Sequence, residues 1–125
     1  MIWFLVFVGG GLGSAARHGL NRLIHQRMLA ATFPFGTFAV NIIGSTLIGV
    51  VGGLLSSSRL HLSYEARTFL IVGIFGGFTT FSSFTLDTLA LVRDGHMAQA
   101  IANVVGQVGL GLIMVAVGYR VASLP

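Results

Sequence analysis

A chain of 125 residues in which 54% are hydrophobic and only 8% charged cannot present a surface to water, since soluble domains carry about 25% charged residues. Lipid is then the solvent, and in lipid every backbone N–H and C=O must be paired within the protein, which leaves helices or a closed barrel. The net charge of +4 is spread over single basic residues between apolar stretches, which argues against a nucleic-acid binder with its basic, aromatic-interleaved stripe, and the absence of cysteine excludes disulfides and thiolate metal sites.

The long unbroken apolar runs select helices. About 20 helical residues cross a bilayer core, so residues 1–125 are expected to form one transmembrane domain of four spans, about 2–24, 35–55, 68–91 and 97–121, an all-α membrane protein. The chain opens Met1-Ile2-Trp3-Phe4 with no basic region and no small-residue cleavage site, so the first span is expected to be retained and not to be a signal peptide. It ends among Arg17, His18, Arg22, His25 and Arg27. Met28 to Phe35 is a connector, and Pro34 starts the second span, where proline is tolerated. That span stops at Ser56-Ser57-Ser58-Arg59, and a loop to Arg67 containing Glu65 leads to the third.

The centre of the third span reads Gly73-Ile74-Phe75-Gly76-Gly77-Phe78-Thr79-Thr80-Phe81-Ser82-Ser83-Phe84-Thr85. Paired glycines followed by β-branched and hydroxyl residues disfavour a continuous helix, which predicts a break near Gly76 to Thr80. Arg93-Asp94-Gly95-His96 forms a tight turn into the fourth span. Gly9 and Gly13, Gly49 and Gly53, and Gly73 and Gly77 are each four apart, the spacing that lets membrane helices approach closely.

Short loops rich in Lys and Arg stay cytoplasmic. Here Arg17, Arg22, Arg27 and Arg93 fall on one side and Arg59, Arg67 and Arg120 on the other. So small a difference predicts insertion both ways up, which permits an antiparallel dimer.

Polar side chains at membrane depth mark helix–helix hydrogen bonds or a substrate path. Thr37, Asn41 and Ser45 share one face of the second span, and Asn103 and Gln107 one face of the fourth. The third span adds Thr79, Thr80, Ser82, Ser83, Thr85, Asp87 and Thr88, threaded with Phe75, Phe78, Phe81 and Phe84. Amide and hydroxyl donors without a fixed cation suit a small anion that must bind and then leave, and the positive edge of a phenylalanine ring can face such an anion. Phe81 and Phe84 are the candidates, whereas Phe75 and Phe78 are assigned to packing. Carbonyls freed by the break suit a monovalent cation, because no carboxylate sits there to offset a divalent charge.

No carboxylate lies in the first two spans, which argues against the leading alternative, a small proton-coupled multidrug-type exporter, because such a protein needs a buried acid. An inert membrane subunit is disfavoured by the dense polar run of the third span. No nucleophile sits beside a base, and His18, His25, His61 and His96 lie near span ends or in loops, so no enzyme is expected.

Gly36-Thr37-Phe38-Ala39-Val40-Asn41 and the run Gly73 to Phe84 resemble the two signatures of the Fluc (CrcB) family of fluoride channels, and Gly9-Gly10-Gly11-Leu12-Gly13 with Ala16-Arg17-His18 resembles its glycine-rich first helix. The resemblance covers essentially the whole chain. It implies an antiparallel dual-topology homodimer in the bacterial cell membrane, with two pores that release fluoride passively and a structural sodium ion at the dimer centre. Carried over by motif, Asn41 donates to fluoride at a vestibule floor, Phe81 and Phe84 form an aromatic box, and Ser82, Ser83 and Thr85 continue the path. Arg17 makes the vestibule attractive to anions, and the carbonyls of Gly76 and Thr79 hold the sodium. Asn103 and Gln107 depart from the tyrosine and serine common in the family, and Asp87 stands where a glutamate is common.

Overall fold

In a solvent that offers no hydrogen bonds the backbone pairs with itself over long runs. The computed structural model, which describes residues 1–124, is accordingly built of helices joined by short turns. The first helix, α1, is Ile2–Arg27, and the second, α2, is Phe35–Ser56. The third rod is divided. Its first part, α3, covers residues 64–78 as a turn Tyr64–Arg67, a π-helical stretch Thr68–Phe75 and a last turn Gly76–Phe78; its second part, α4, is Phe81–Arg93. The last helix, α5, is Met97–Ser123, with a π-helical interruption at Gly106–Leu110.

Local chemistry sets the ends. Ser63 caps α3, its Oγ accepting the Ala66 N–H at 3.2 Å, so the helix begins inside the loop that the sequence suggested up to Arg67. Gly95, at φ +81°, lets the chain turn at the end of α4, where the His96 N–H reaches the Leu91 carbonyl at 2.8 Å. A left-handed glycine of this kind closes a helix without strain on a Cβ.

Phe35–Ser56, Tyr64–Arg93 and Met97–Ser123 are each long and apolar enough to cross a membrane. The protein is therefore a multi-pass membrane protein. Helix α1 has 26 residues, but Arg17, His18, Arg22, His25 and Arg27 load its second half with polar groups.

Glycine lets the helices meet backbone to backbone. A Cβ on Gly9 would lie 2.7 Å from the Phe69 carbonyl oxygen, and one on Gly13 would overlap the Ile74 carbonyl oxygen. Reciprocally, a Cβ on Gly73 would come within 2.9 Å of the Gly9 Cα. These four-residue steps lock α1 against α3. The pair Gly49 and Gly53 does the same for α2 against the second half of α5, where added Cβ atoms would strike the carbonyls of Val115 and Tyr119. Without a hydrophobic force between helices in lipid, such close van der Waals approach supplies the attraction.

Candidate functional site

The break falls where the sequence placed it. Thr79 and Thr80 are extended, with ψ of 157° and 117°, the conformation that β-branched side chains favour. The Thr79 hydroxyl folds back to the Phe75 carbonyl at 2.8 Å. Thr80 caps α4, its Oγ1 accepting the Ser83 N–H at 3.2 Å. A continuous helix would send the Thr80 N–H to the Gly76 carbonyl. Instead it goes to Asn41 Oδ1 at 2.8 Å, while Asn41 Nδ2 donates to the Thr80 carbonyl at 2.9 Å. The Asn41 carboxamide thus pairs with an extended residue as a neighbouring strand would, and the Gly76 carbonyl loses its helical donor. Gly44, one turn further along α2, leaves the space that Thr79 Cγ2 fills.

From Asn41 a relay of amides runs into α5. Asn41 Nδ2 also donates to Gln107 Oε1 at 2.6 Å, Gln107 Nε2 donates to Asn103 Oδ1 at 2.9 Å, and Asn103 Nδ2 donates to Thr88 Oγ1 at 2.9 Å. The Thr88 hydroxyl then donates to the Phe84 carbonyl at 2.8 Å. Both ends are backbone groups with a fixed sense: the Thr80 N–H can only donate and the Phe84 C=O only accept. Each end independently sets the same orientation for every amide between them. Asn103 is completely buried and Gln107 is 9% exposed, so these polar groups are shielded from solvent and lipid by their own partners.

Beside the relay lies a cavity of about 360 Å³ bounded by Asn41, Gln107, Thr80, Phe75, Phe81 and Phe84, with Gly76 and Thr79 also on its wall. Among the described residues no ionisable side chain lines it. The Phe81 and Phe84 rings are 5.4 Å apart and tilted by 53°, an arrangement in which edges and faces alternate. Phe84 is buried, whereas Phe81 is 73% exposed. Phe75, assigned to packing on sequence grounds, shares the cavity wall; Phe78 packs instead beside Gly44. The first turn of α4 opens at this wall through Phe81, and a helix N-terminus carries partial positive charge.

The remaining sequence candidates lie around this core. Ser83 Oγ accepts from the Thr80 hydroxyl at 3.1 Å, and Ser82 Oγ lies 3.3 Å from the same oxygen. Thr85 is exposed and its hydroxyl donates to the Ser82 carbonyl at 2.9 Å. Arg17 is half-buried at 3.5 Å from Ser14 Oγ, whose hydroxyl reaches the Gly77 carbonyl at 3.3 Å, so it connects to the break through α1. A second cavity, of about 520 Å³, brings Asp87 of α4 together with His18, Asn21, Arg22 and His25 of α1 and with Thr37 of α2. Asp87 Oδ2 and Asn21 Oδ1 are buried atoms without a hydrogen-bond partner among the described residues. Three-dimensional proximity across sixty residues, not spacing, assembles this group.

Gly76 and Thr79 border the cavity, and among the described residues no carboxylate lines it. Were a cation held by their carbonyls, neutral oxygens without a carboxylate would suit a monovalent ion and not a divalent one.

The chain matches the family model described as CrcB-like protein, Camphor Resistance (CrcB), over residues 4–119. It is 46% identical over 115 residues to a protein of Parabacteroides distasonis named fluoride-specific ion channel FluC, covering 92% of this chain and 88% of that one. A protein of the same name from Thermus thermophilus is 47% identical over 121 residues, covering 97% and 94%, and one from Methylobacillus flagellatus is 42% identical over 120 residues, covering 96% and 93%. A family match across nearly the whole length, together with these near full-length relatives, makes this chain a member of the CrcB family.

Proposed function

We propose that this protein is a fluoride channel of the cell membrane, and not an enzyme, and that it releases fluoride passively down its electrochemical gradient. The observation that carries this is the uncharged cavity at the helix break, walled by the Asn41 and Gln107 amides and the Phe81 and Phe84 rings, in a chain 46% identical to a protein named for fluoride. A cationic side chain on the cavity wall would bind an anion directly and trap it, whereas amide donors, ring edges and the N-terminus of α4 hold it weakly enough for release. In this proposal the ion passes Asn41, Phe81 and Phe84 and continues along Ser82, Ser83 and Thr85, drawn in by the Arg17 charge.

Four spans per chain, with α1 as the fourth, and an antiparallel homodimer with two pores complete the proposal. The near-equal arginine counts at the two ends support it, and the 73% exposure of Phe81 is consistent with a second copy covering that ring. Sodium would be held at the dimer centre by the Gly76 and Thr79 carbonyls of both copies, where it would supply a structural positive charge. Purified protein in liposomes loaded with fluoride or chloride tests the function: fluoride should leave far faster than chloride, and equal or absent release refutes it.

A further inference from the structure

The relay leaves Asn41 no spare hydrogen. One Nδ2 hydrogen serves the Thr80 carbonyl at 2.9 Å and the other serves Gln107 Oε1 at 2.6 Å. An anion taking a hydrogen bond from Asn41 must displace one of these acceptors. The Thr80 carbonyl belongs to the break itself and is paired reciprocally through the Thr80 N–H. Gln107 Oε1, on a side chain that borders the cavity, is the acceptor that can yield.

We infer that Gln107 is a specificity-determining residue of the proposed channel, its Oε1 competing with the anion for the second N–H of Asn41. This rests on the fluoride-channel assignment above. The competition sets a threshold of acceptor strength. A small, hard anion accepts a hydrogen bond more strongly than a neutral amide carbonyl and displaces it; a larger, softer halide does not. Asn103 and Thr88 are positioning residues, because the fixed sense of the relay keeps Oε1, and not the Nε2 donor, toward Asn41. A glutamine free to turn its amide over would present hydrogens there instead and lose the competition.

The test measures fluoride and chloride release from liposomes, with the half-saturating fluoride concentration, for the parent, Gln107→Met and Thr88→Val. Methionine keeps the length and bulk of glutamine without the acceptor. Losing one neutral hydrogen-bond competitor should lower half-saturation and lower the fluoride-to-chloride ratio by about threefold to tenfold. Thr88→Val leaves Gln107 and Asn41 in place but removes the end of the relay that orients Gln107 through Asn103, so that Oε1 is held toward Asn41 from the Thr80 end alone; it should shift both quantities the same way by a smaller factor, and it serves alone should the methionine variant not fold. Unchanged ratio and half-saturation in the folded variants overturn the inference. So does a rise in half-saturation for Gln107→Met, which would make Gln107 a donor to the anion. Absence of fluoride release from the parent itself would instead defeat the functional assignment, and the inference with it.

Discussion

Asn41 and Thr80, separated by 39 positions in the chain, are joined by two reciprocal hydrogen bonds of 2.8 and 2.9 Å that give the broken helix its missing backbone partner. The side chain therefore has a structural task before any functional one. Asn41→Asp would keep the acceptor for the Thr80 N–H but turn an anionic oxygen toward the Thr80 carbonyl and Gln107 Oε1. The expected outcome is abolished fluoride release together with a stability loss of about 2–4 kcal/mol, from a half-buried charge whose second oxygen faces two acceptors. Thermal unfolding in detergent beside the flux assay checks it.

Phe81 and Phe84 should separate function from stability. Both rings border the cavity, but Phe84 is 6% exposed and Phe81 73%. Replacing either by leucine removes a ring edge, so fluoride release should fall at least about tenfold in both if each edge supplies about 1.4 kcal/mol. Only Phe84→Leu should also lower the stability of the single chain, by about 1–2 kcal/mol, because it disturbs that chain's filled interior, whereas a loss with Phe81→Leu would be one of pairing between copies. Paired melting curves and flux rates decide this.

Gly13 and Gly11 lie two residues apart and should respond oppositely. A Cβ on Gly13 overlaps the Ile74 carbonyl oxygen, whereas one on Gly11 meets nothing within 4 Å. Gly13→Ala is expected to push α1 from α3 and cost about 1–3 kcal/mol; Gly11→Ala should be neutral or slightly stabilising, as alanine is the better helix former. The yield of folded protein and its melting temperature report the difference.

Thr80 caps α4 through its hydroxyl. Thr80→Val retains the β-branched shape that suits the extended backbone and loses the cap, at about 0.5–2 kcal/mol. Thr80→Ser keeps the acceptor and should recover most of that loss. Equal melting temperatures for valine and serine variants would show that the hydroxyl does not cap.

How far the sequence reveals this architecture depends on the range of the interaction. The break at Thr79 and Thr80 was legible because Gly76-Gly77 followed by two β-branched residues is a local conflict with helix. The shared faces of Asn103 and Gln107 were legible from their four-residue spacing. Their union with Asn41 was not, since it depends on the relative height of α2 and α5, and Gln107 itself lies in the π-helical stretch Gly106–Leu110, where the helical register departs from 3.6 residues per turn. Phe75 is a packed core residue, as its place in the apolar run suggests, but its position on the cavity wall depends on how α2 and α3 meet and is not written in the local pattern. That Asp87 of α4 shares a cavity with His18 and His25 depends on how α1 lies beside the divided third rod, which no local pattern encodes.

The glycine contacts pair the helices out of sequence order, α1 with α3 and α2 with the far half of α5. Neither close pair is made of neighbours along the chain. During synthesis α2 enters the bilayer without its principal companion, residues 111–123, which are translated later, so assembly has to wait for them to arrive. A ribosome-arrested chain ending before Val115 should accordingly remain loosely associated and protease-sensitive, however well its individual helices insert.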